Sequence, residues 1–328
     1  MRRKDSRADS TASVSGRRHL VRTSLAVAVV AMLAVLVTAV AHPMLPQRVQ
    51  ASSSPSNPPM ADRVELVSQA QAVSVDGVQR TYRSIAPLHV TSPLPLLVVL
   101  HGRGESGSVV ASRTGFLGLV EQRRAILVAP DGEHRSWNAG HGCCGVAGSR
   151  GVPDVPFVAA TVADAARRWP VDAGRVYLVG YSNGGKLAYS EVCAHPTLFA
   201  AVATYGAVPL SPCNPGTAAV PFLLAAGSAD RVLPFGGKPG GNPPIPSVPQ
   251  ALGWLRAQDG CLAGPRTGRD GSAVVQKWSG CAGTTEVESV VYPGQGHAWP
   301  AAGLSGGSPA AATVMWAFLS RHGEPAAR

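Results

Sequence analysis

The chain has 328 residues, enough for one large domain or two ordinary domains with a substantial core. Hydrophobic residues make up 45% and charged residues 15%, which excludes a disordered chain and a long charged helical rod. The net charge is +10, but residues 1–41 contain seven Lys and Arg against two Asp and so carry half of it. Since the remainder has no dense basic run, we expect no nucleic-acid partner.

Residues 1–41 have the pattern of an export signal. A basic stretch ends at Arg22, an uncharged apolar run follows, and the run closes with the small-x-small sequence Ala39-Val40-Ala41. We predict a signal peptide cleaved after Ala41 and a secreted or cell-envelope protein. An uncleaved membrane tether is the alternative, because the apolar run is nearly long enough to span a bilayer. Arg17-Arg18 leaves both the general and the twin-arginine export routes open.

Residues 42–61 are rich in Pro, Ser and Asn and have no core-forming pattern. This composition indicates a flexible linker. The remaining residues, 62–328, are the size of one domain, and we expect them to form a single catalytic domain that acts as a monomer.

Six cysteines, an even number, fit an exported protein, because disulfides persist outside the cytoplasm. Proximity in sequence favours the pairs Cys193–Cys213 and Cys261–Cys281. The adjacent Cys143 and Cys144 are then bonded to each other or left as free thiols. No ligand spacing typical of zinc accompanies the cysteines, so we expect neither a metal nor another cofactor.

Short apolar segments alternate with amphipathic ones along the domain. A hairpin is predicted around Asp76-Gly77, a dipeptide that favours tight turns. The strands are predicted at Val73–Val75, Gln79–Ser84, Leu94–Leu100, Ala125–Ala129, Arg175–Val179, Phe199–Thr204, Phe222–Ala226 and Val287–Tyr292. The helices are predicted at Arg113–Arg124, Val155–Trp169, Asn183–Ala194, Val248–Gln258 and Ala310–Arg321. This alternation predicts an α/β fold with a mostly parallel central sheet flanked by helices.

A G-x-S-x-G motif joins the strand Arg175–Val179 to the helix Asn183–Ala194. That context is the one in which the motif presents a nucleophilic serine on a sharp turn. Gly180 and Gly184 are small enough for strand and helix to approach each other, and the helix N-terminus points its dipole at the site. Ser182 is therefore the predicted nucleophile, the alternative being a serine that only caps the helix.

The base and the acid follow the serine along the chain. His297 comes after the last predicted strand in a glycine-containing loop, where a histidine can reach the serine and act as general base. Asp230 follows the strand Phe222–Ala226 and is the predicted acid that holds the imidazole. A loop histidine packed beside Trp299 and a turn aspartate that caps backbone amides are the structural alternatives.

Two backbone amides are needed to bind the oxyanion of a tetrahedral intermediate. We predict the amide of Asn183, directly after the nucleophile, and the amide of Arg103, in the glycine-containing loop after Leu94–Leu100. Trp137 and Trp299 are predicted to line the substrate cleft, where aromatic rings could stack on a sugar or an aryl group. The competing interpretation makes both tryptophans structural residues of their loops.

Six segments of the chain together carry a family resemblance. They are LHGRGES at 100–106, WNAGHGCCG at 137–145, PDVPFV at 153–158, RVYLVGYSNGGKLAY at 175–189, AAGSADRVLPFGG at 225–237 and GQGHAWP at 294–300. With these segments in this order, the chain resembles extracellular polyhydroxybutyrate depolymerase-like and LpqC-like esterases, which belong to the feruloyl and acetylxylan esterase branch of the α/β-hydrolases. The resemblance implies an α/β-hydrolase fold, carboxylic ester hydrolysis through an acyl-enzyme, and a triad of Ser182, Asp230 and His297.

Other functions remain open at this stage. A peptidase or an acyltransferase of the same fold would use the same triad, and a non-catalytic cell-wall binding module would need none of it. The expected partner is an ester substrate, which is a small ester, a polyester or an acylated polysaccharide.

Overall fold

The computed structural model describes residues 64–301 and 307–323. The predicted signal peptide and linker lie outside these residues. None of the helices within the described ranges is long and apolar enough to cross a membrane. One continuous ten-stranded sheet organises this part of the chain. The strands are β1 (Leu66–Val75), β2 (Val78–Pro87), β3 (Leu94–Leu100), β4 (Ile126–Pro130), β5 (Val171–Tyr181), β6 (Ala201–Tyr205), β7 (Phe222–Gly227), β8 (Arg266–Asp270), β9 (Ala273–Trp278) and β10 (Val287–Tyr292).

The strand order across the sheet is β1-β2-β4-β3-β5-β6-β7-β10-β9-β8. The six central strands, from β4 to β10, run parallel. Two antiparallel strands extend the sheet at each edge. The carboxyl ends of all six parallel strands therefore lie at one edge, which is where open α/β sheets bind their ligands.

Helices cover both faces of the sheet. They are α1 (Gly107–Arg113), α2 (Leu117–Glu121), α3 (Gly145–Arg150), α4 (Asp154–Arg168), α5 (Asn183–Ala194), α6 (Val248–Gln258) and α7 (Ala311–Leu319). The buried residues of α4, α5 and α6 belong to one hydrophobic cluster, and those of α1, α2 and α7 belong to a second. The sheet separates the two clusters, so its central strands are apolar on both sides.

Strand β3 shows why the sequence is continuously apolar there. Leu96, Val98 and Leu100 pack into the first cluster. The alternate residues Leu97 and Val99 pack into the second. Successive side chains of a strand point to opposite faces, so a strand covered by helices on both faces has no exposed position for a polar residue.

The structure confirms the predicted fold class and most predicted elements. Strands β3 and β10 and helices α5 and α6 have the predicted bounds. The predicted hairpin forms, with Asp76 and Gly77 both at positive φ in its turn, and its strands extend further than predicted.

Helix α3 was not predicted, and two further stretches differ from the prediction. The single helix predicted at Arg113–Arg124 is two short helices, α1 and α2, because Gly115 between them adopts φ 87°. The second difference is the edge hairpin β8–β9, which was not predicted. Every residue of β8 is exposed, and its sequence Arg-Thr-Gly-Arg-Asp has no apolar alternation. Pairing with β9 is what gives this segment its extended form.

Three disulfides link the cysteines in the described residues. Cys193–Cys213 and Cys261–Cys281 each close a loop with a sequence separation of 20, as predicted. Cys143 is bonded to Cys144, which was one of the two alternatives left open for this pair. In the chain-entropy account, a disulfide that closes a loop of this length stabilises the folded state by about 3 kcal/mol, because it restricts the unfolded chain.

The buried carboxyl of Asp259, at the end of α6, should make the stability of the fold depend on pH. Its side chain is buried, it accepts a hydrogen bond from the Val220 amide at 3.2 Å, and burial raises its pKa to about 7. A carboxyl whose pKa is raised by folding stabilises the fold fully below its unfolded pKa, and that contribution is lost as pH rises through about 7. We expect Asp259→Asn, which keeps an acceptor without the charge, to gain about 2–4 kcal/mol relative to the parent between pH 4 and pH 8.

The measurement is the melting temperature of both proteins across this pH range. Asp270→Asn is the matched control, because Asp270 is exposed in β8. A difference between Asp259→Asn and the parent that does not change with pH would contradict the prediction.

Candidate active site

Ser182 lies in a tight turn between β5 and α5. Its backbone has φ 53° and ψ −116°, a conformation that costs a non-glycine residue about 1–3 kcal/mol. The Ser182 amide donates to the Tyr205 carbonyl at 2.9 Å, which ties the turn to the neighbouring strand β6. A Cβ at position 184 would approach the carbonyl oxygens of Leu100 and His101 to 2.5 Å, so only glycine fits there.

The structure brings the three predicted residues Ser182, His297 and Asp230 together. His297 Nε2 is 2.8 Å from Ser182 Oγ, and His297 Nδ1 is 2.7 Å from Asp230 Oδ2. A carboxylate only accepts hydrogen bonds, so Nδ1 carries the proton and Nε2 is left to accept from the serine hydroxyl. The other carboxylate oxygen, Oδ1, accepts from the amides of Val232 and Leu233, both at 2.8 Å. Asp230 therefore both caps its own turn and orients the imidazole.

Two tyrosines hold the loop that carries His297. Tyr181 Oη donates to the His297 carbonyl at 3.0 Å, and Tyr205 Oη donates to the Gly296 carbonyl at 2.7 Å. The Arg113 guanidinium lies 4.5 Å from the centre of the Tyr181 ring and forms an ion pair with Glu105 at 2.7 Å. Sequence reasoning missed these contacts. Tyr181 is the first of the two variable residues inside the G-x-S-x-G motif, and its partner lies 116 positions away.

The predicted oxyanion donors differ from their neighbours in their hydrogen bonding. The amides of Gly102, Gly104 and Glu105 all donate to acceptors within the protein. Within the described residues, the amides of Arg103 and Asn183 donate to none. These two N–H groups are therefore available to an oxygen atom placed beside Ser182.

His101 organises the loop that contains Arg103. The ring is fully buried, Nδ1 is 2.8 Å from the Gly102 carbonyl, and Nε2 accepts from the Gly132 amide at 2.9 Å. Burial lowers the pKa of His101, so its ring is neutral with the proton on Nδ1. The His101 carbonyl accepts from the Gly184 amide at 3.1 Å, which joins this loop to the first turn of α5.

Trp137 does not line a cleft as predicted. It is 0% exposed, and its indole Nε1 donates to the His101 carbonyl at 2.9 Å. Its backbone N–H and C=O both bond to the Asn183 side chain, at 2.8 and 3.0 Å. Trp137 is therefore a structural residue. Its indole binds the loop that carries Arg103, and its backbone binds Asn183, so it fixes both predicted oxyanion segments.

Trp299 is also not a cleft residue. It is 7% exposed, and its Nε1 donates to the Thr114 carbonyl at 3.2 Å. Its ring packs edge-on against Tyr181 and Tyr205, the two residues that hold the histidine loop. The structural alternative considered for both tryptophans is the correct one.

Asp154 is a buried charge near the site that sequence reasoning did not single out. It forms an ion pair with Arg80 at 2.7 Å and accepts from the Asn138 amide at 2.7 Å. Burial raises its pKa. At the start of a predicted helix an aspartate resembles an ordinary exposed N-terminal charge, and only the tertiary structure brings Arg80 from β2 against it. The contact anchors the 137–145 loop to α4.

No family model matches the chain. Feruloyl esterase C of Emericella nidulans is 29% identical over 238 residues, which are 70% of this chain and 78% of that protein. NocK of Nocardia uniformis subsp. tsuyamanensis, provisionally named an esterase, is 28% identical over 313 residues, or 82% of this chain and 88% of its own. The solved structure of acetyl xylan esterase from Aspergillus awamori superposes with a TM-score of 0.57 at 14% identity, covering 77% of this chain and 99% of that one.

The likeness to a solved structure, the strand order and the strained serine turn assign the chain to the α/β-hydrolase fold. The curated relatives are named as esterases, which confirms the resemblance to the feruloyl and acetylxylan esterase branch. The prediction of a carboxylic ester hydrolase is confirmed by the same relatives.

The burial of Trp137 gives a test of its role. Trp137→Phe keeps an aromatic ring but removes the Nε1–H donor and part of the buried indole, so we expect a loss of about 2–4 kcal/mol in stability. We also expect a lower kcat on aryl acetates with little change in KM, because the loop that carries Arg103 loses a support. Denaturant unfolding and steady-state kinetics measure the two effects. A raised KM with unchanged stability would instead indicate that the indole binds substrate.

Proposed function

We propose that the protein is a secreted serine esterase in which Ser182, His297 and Asp230 act as the catalytic triad. The observation that carries this proposal is the pair of hydrogen bonds, 2.8 and 2.7 Å long, that links the three side chains at the strained turn. All three residues come from one chain, and we propose that the enzyme acts as a monomer.

The first half of the proposed reaction forms an acyl-enzyme. Ser182 Oγ attacks the ester carbonyl carbon while His297 Nε2 takes the hydroxyl proton. The negative charge that develops on the carbonyl oxygen is held by the amides of Arg103 and Asn183. Asp230 stabilises the imidazolium that forms. His297 then gives its proton to the leaving oxygen, and the alcohol departs.

The second half releases the acid. His297 takes a proton from water as the water oxygen attacks the acyl carbon, and the oxyanion again occupies the two amides. Collapse of this intermediate returns the proton to Ser182 Oγ and frees the carboxylic acid. The neutral, buried His101 takes no part in proton transfer, because both of its ring nitrogens are engaged by backbone groups.

The proposed substrates are feruloyl or acetyl esters on polysaccharides. Two lines of support are the names of the relatives, feruloyl esterase C and a bifunctional acetylxylan esterase/xylanase of Neocallimastix patriciarum, although this chain covers only 34% of the latter. A third is that Ser182 and His297 are only half-buried, so an ester carried by a polymer can approach. The polyhydroxybutyrate depolymerase-like interpretation is tested by assaying a polyester, polyhydroxybutyrate, beside the feruloyl and acetyl esters.

We expect Ser182→Ala to lower kcat on p-nitrophenyl acetate by about 10³- to 10⁶-fold, since it removes the attacking oxygen. The parent enzyme should be labelled by a fluorophosphonate probe and Ser182→Ala should not. Ser149→Ala, an exposed serine on α3, is the matched control and should behave like the parent in both assays. Activity of Ser182→Ala equal to that of the parent would contradict the triad assignment.

Export is proposed from residues 1–41 and from the three disulfides. We expect the protein recovered from the culture medium of an expressing bacterium to begin at His42, as read by N-terminal sequencing. Mass spectrometry without reductant should detect the linked peptides of Cys193–Cys213 and Cys261–Cys281. Full-length protein retained in the membrane fraction would support the uncleaved tether instead.

A further inference from the structure

A cavity of about 370 Å³ lies along α5, the helix that begins directly after Ser182, between the loops at 139–141 and 210–214. One side of the cavity is formed by α5, from Lys186 to Ala194. His141 and Ser211 bridge the two loops through a contact of 3.1 Å between Nε2 and Oγ. The cavity is the right size for part of a small ligand.

Lys186 is the unusual residue of this cavity. It is 9% exposed, and within the described residues its ammonium has only the Sγ atoms of Cys143 and Cys144 as hydrogen-bond partners, at 3.7 and 3.8 Å. Disulfide sulfurs are weak acceptors that do not neutralise a charge. A buried ammonium is normally paired with a carboxylate, because removing it from water is costly.

No carboxylate compensates Lys186 within the described residues. The residues that line the cavity include no Asp or Glu. The charged residue that acts on Lys186 is a second cation, Arg103, which is exposed, passes Gly145 with its side chain and forms no ion pair among the described residues. Burial first, and Arg103 second, lower the pKa of Lys186. Lys186 is therefore a buried basic group with no counter-charge among the described residues.

The helix places this charge close to the reacting atoms. Lys186 follows Ser182 by four residues, and its amide donates to the Ser182 carbonyl at 3.0 Å. One helical turn rises about 5.4 Å, so Lys186 lies about one turn along α5 from the residue that carries the nucleophile. A ligand group in the cavity can therefore belong to a molecule whose ester reaches Ser182.

We propose that the cavity beside Lys186 binds a carboxylate carried by the ester substrate, and that Lys186 makes the enzyme select acidic esters over neutral ones. The inference rests on the proposed function, because it assigns a substrate class to the same site. The carboxylate supplies the counter-charge that Lys186 lacks among the described residues.

Two matched pairs of esters test the proposal and show which half of the substrate carries the carboxylate. On the acyl side the pair is p-nitrophenyl hydrogen adipate and p-nitrophenyl hexanoate. On the alcohol side it is p-acetoxybenzoate and p-acetoxybenzamide. We expect the parent to prefer the acidic member of at least one pair in kcat/KM, and the preference to weaken with added salt.

Lys186→Met should lower kcat/KM for the preferred acidic ester by about 10- to 100-fold and change the neutral partner by less than about threefold. Lys186→Arg should retain most of the preference, because it keeps the charge. Lys238→Met is the control for a lost positive charge, since Lys238 is exposed in the loop before α6 and does not line the cavity. The control should match the parent on all four esters.

A binding experiment separates this proposal from the proposed function. Adipate and benzoate should raise the melting temperature of the inactive Ser182→Ala protein, and the effect should disappear when Lys186→Met is added. Equal losses on acidic and neutral esters in Lys186→Met, or no acid preference in the parent, would overturn the proposal while leaving the esterase intact. No hydrolysis of any of the four esters by the parent would instead overturn the proposed function.

Discussion

The turn between β5 and α5 is the constraint on which the site depends. A serine at φ 53° is held there because strand, helix and the loop after β3 approach one another closely. That approach requires glycine at positions 180 and 184, where any Cβ would collide with backbone atoms. The first turn of α5 is thereby set against the loop that carries Arg103. The strain of one residue is thus stabilised by the packing of the central sheet.

The polar groups around this turn form a connected system rather than separate contacts. Trp137 binds the His101 carbonyl and the Asn183 side chain, so one buried residue orients both amide segments. On the opposite side, Tyr181 and Tyr205 hold the backbone of the loop that carries His297. Most of these partners are buried and hydrogen-bonded, which fixes their geometry before any substrate arrives. Preorganisation of this kind is what the proposed chemistry needs.

Lys186, like Asp259, is an exception to that satisfaction of charges. Most buried ionic groups of the fold have a partner, as Asp154 has Arg80 and Asp164 has Arg168. Lys186 has only sulfur atoms as hydrogen-bond partners within the described residues, although it lies on the helix that begins at the nucleophile. A site that keeps an uncompensated charge is less stable than one that pairs it, and binding of a complementary group recovers the difference. The contrast between these residues is the physical basis for assigning the charge to a ligand.

The sequence alone determined the α/β fold, the position of the serine turn, and which histidine and aspartate lie beside the serine. These follow from local properties, namely apolar runs, glycines at fixed offsets and chain order, which are visible without knowing the neighbours. The tertiary structure decided what the tryptophans do, which amides remain free, and that Arg80 meets Asp154. It also decided that β8, with no apolar pattern, is a strand. Those outcomes depend on residues tens of positions apart meeting at the carboxyl ends of the parallel strands, and burial there is a property of the assembled fold.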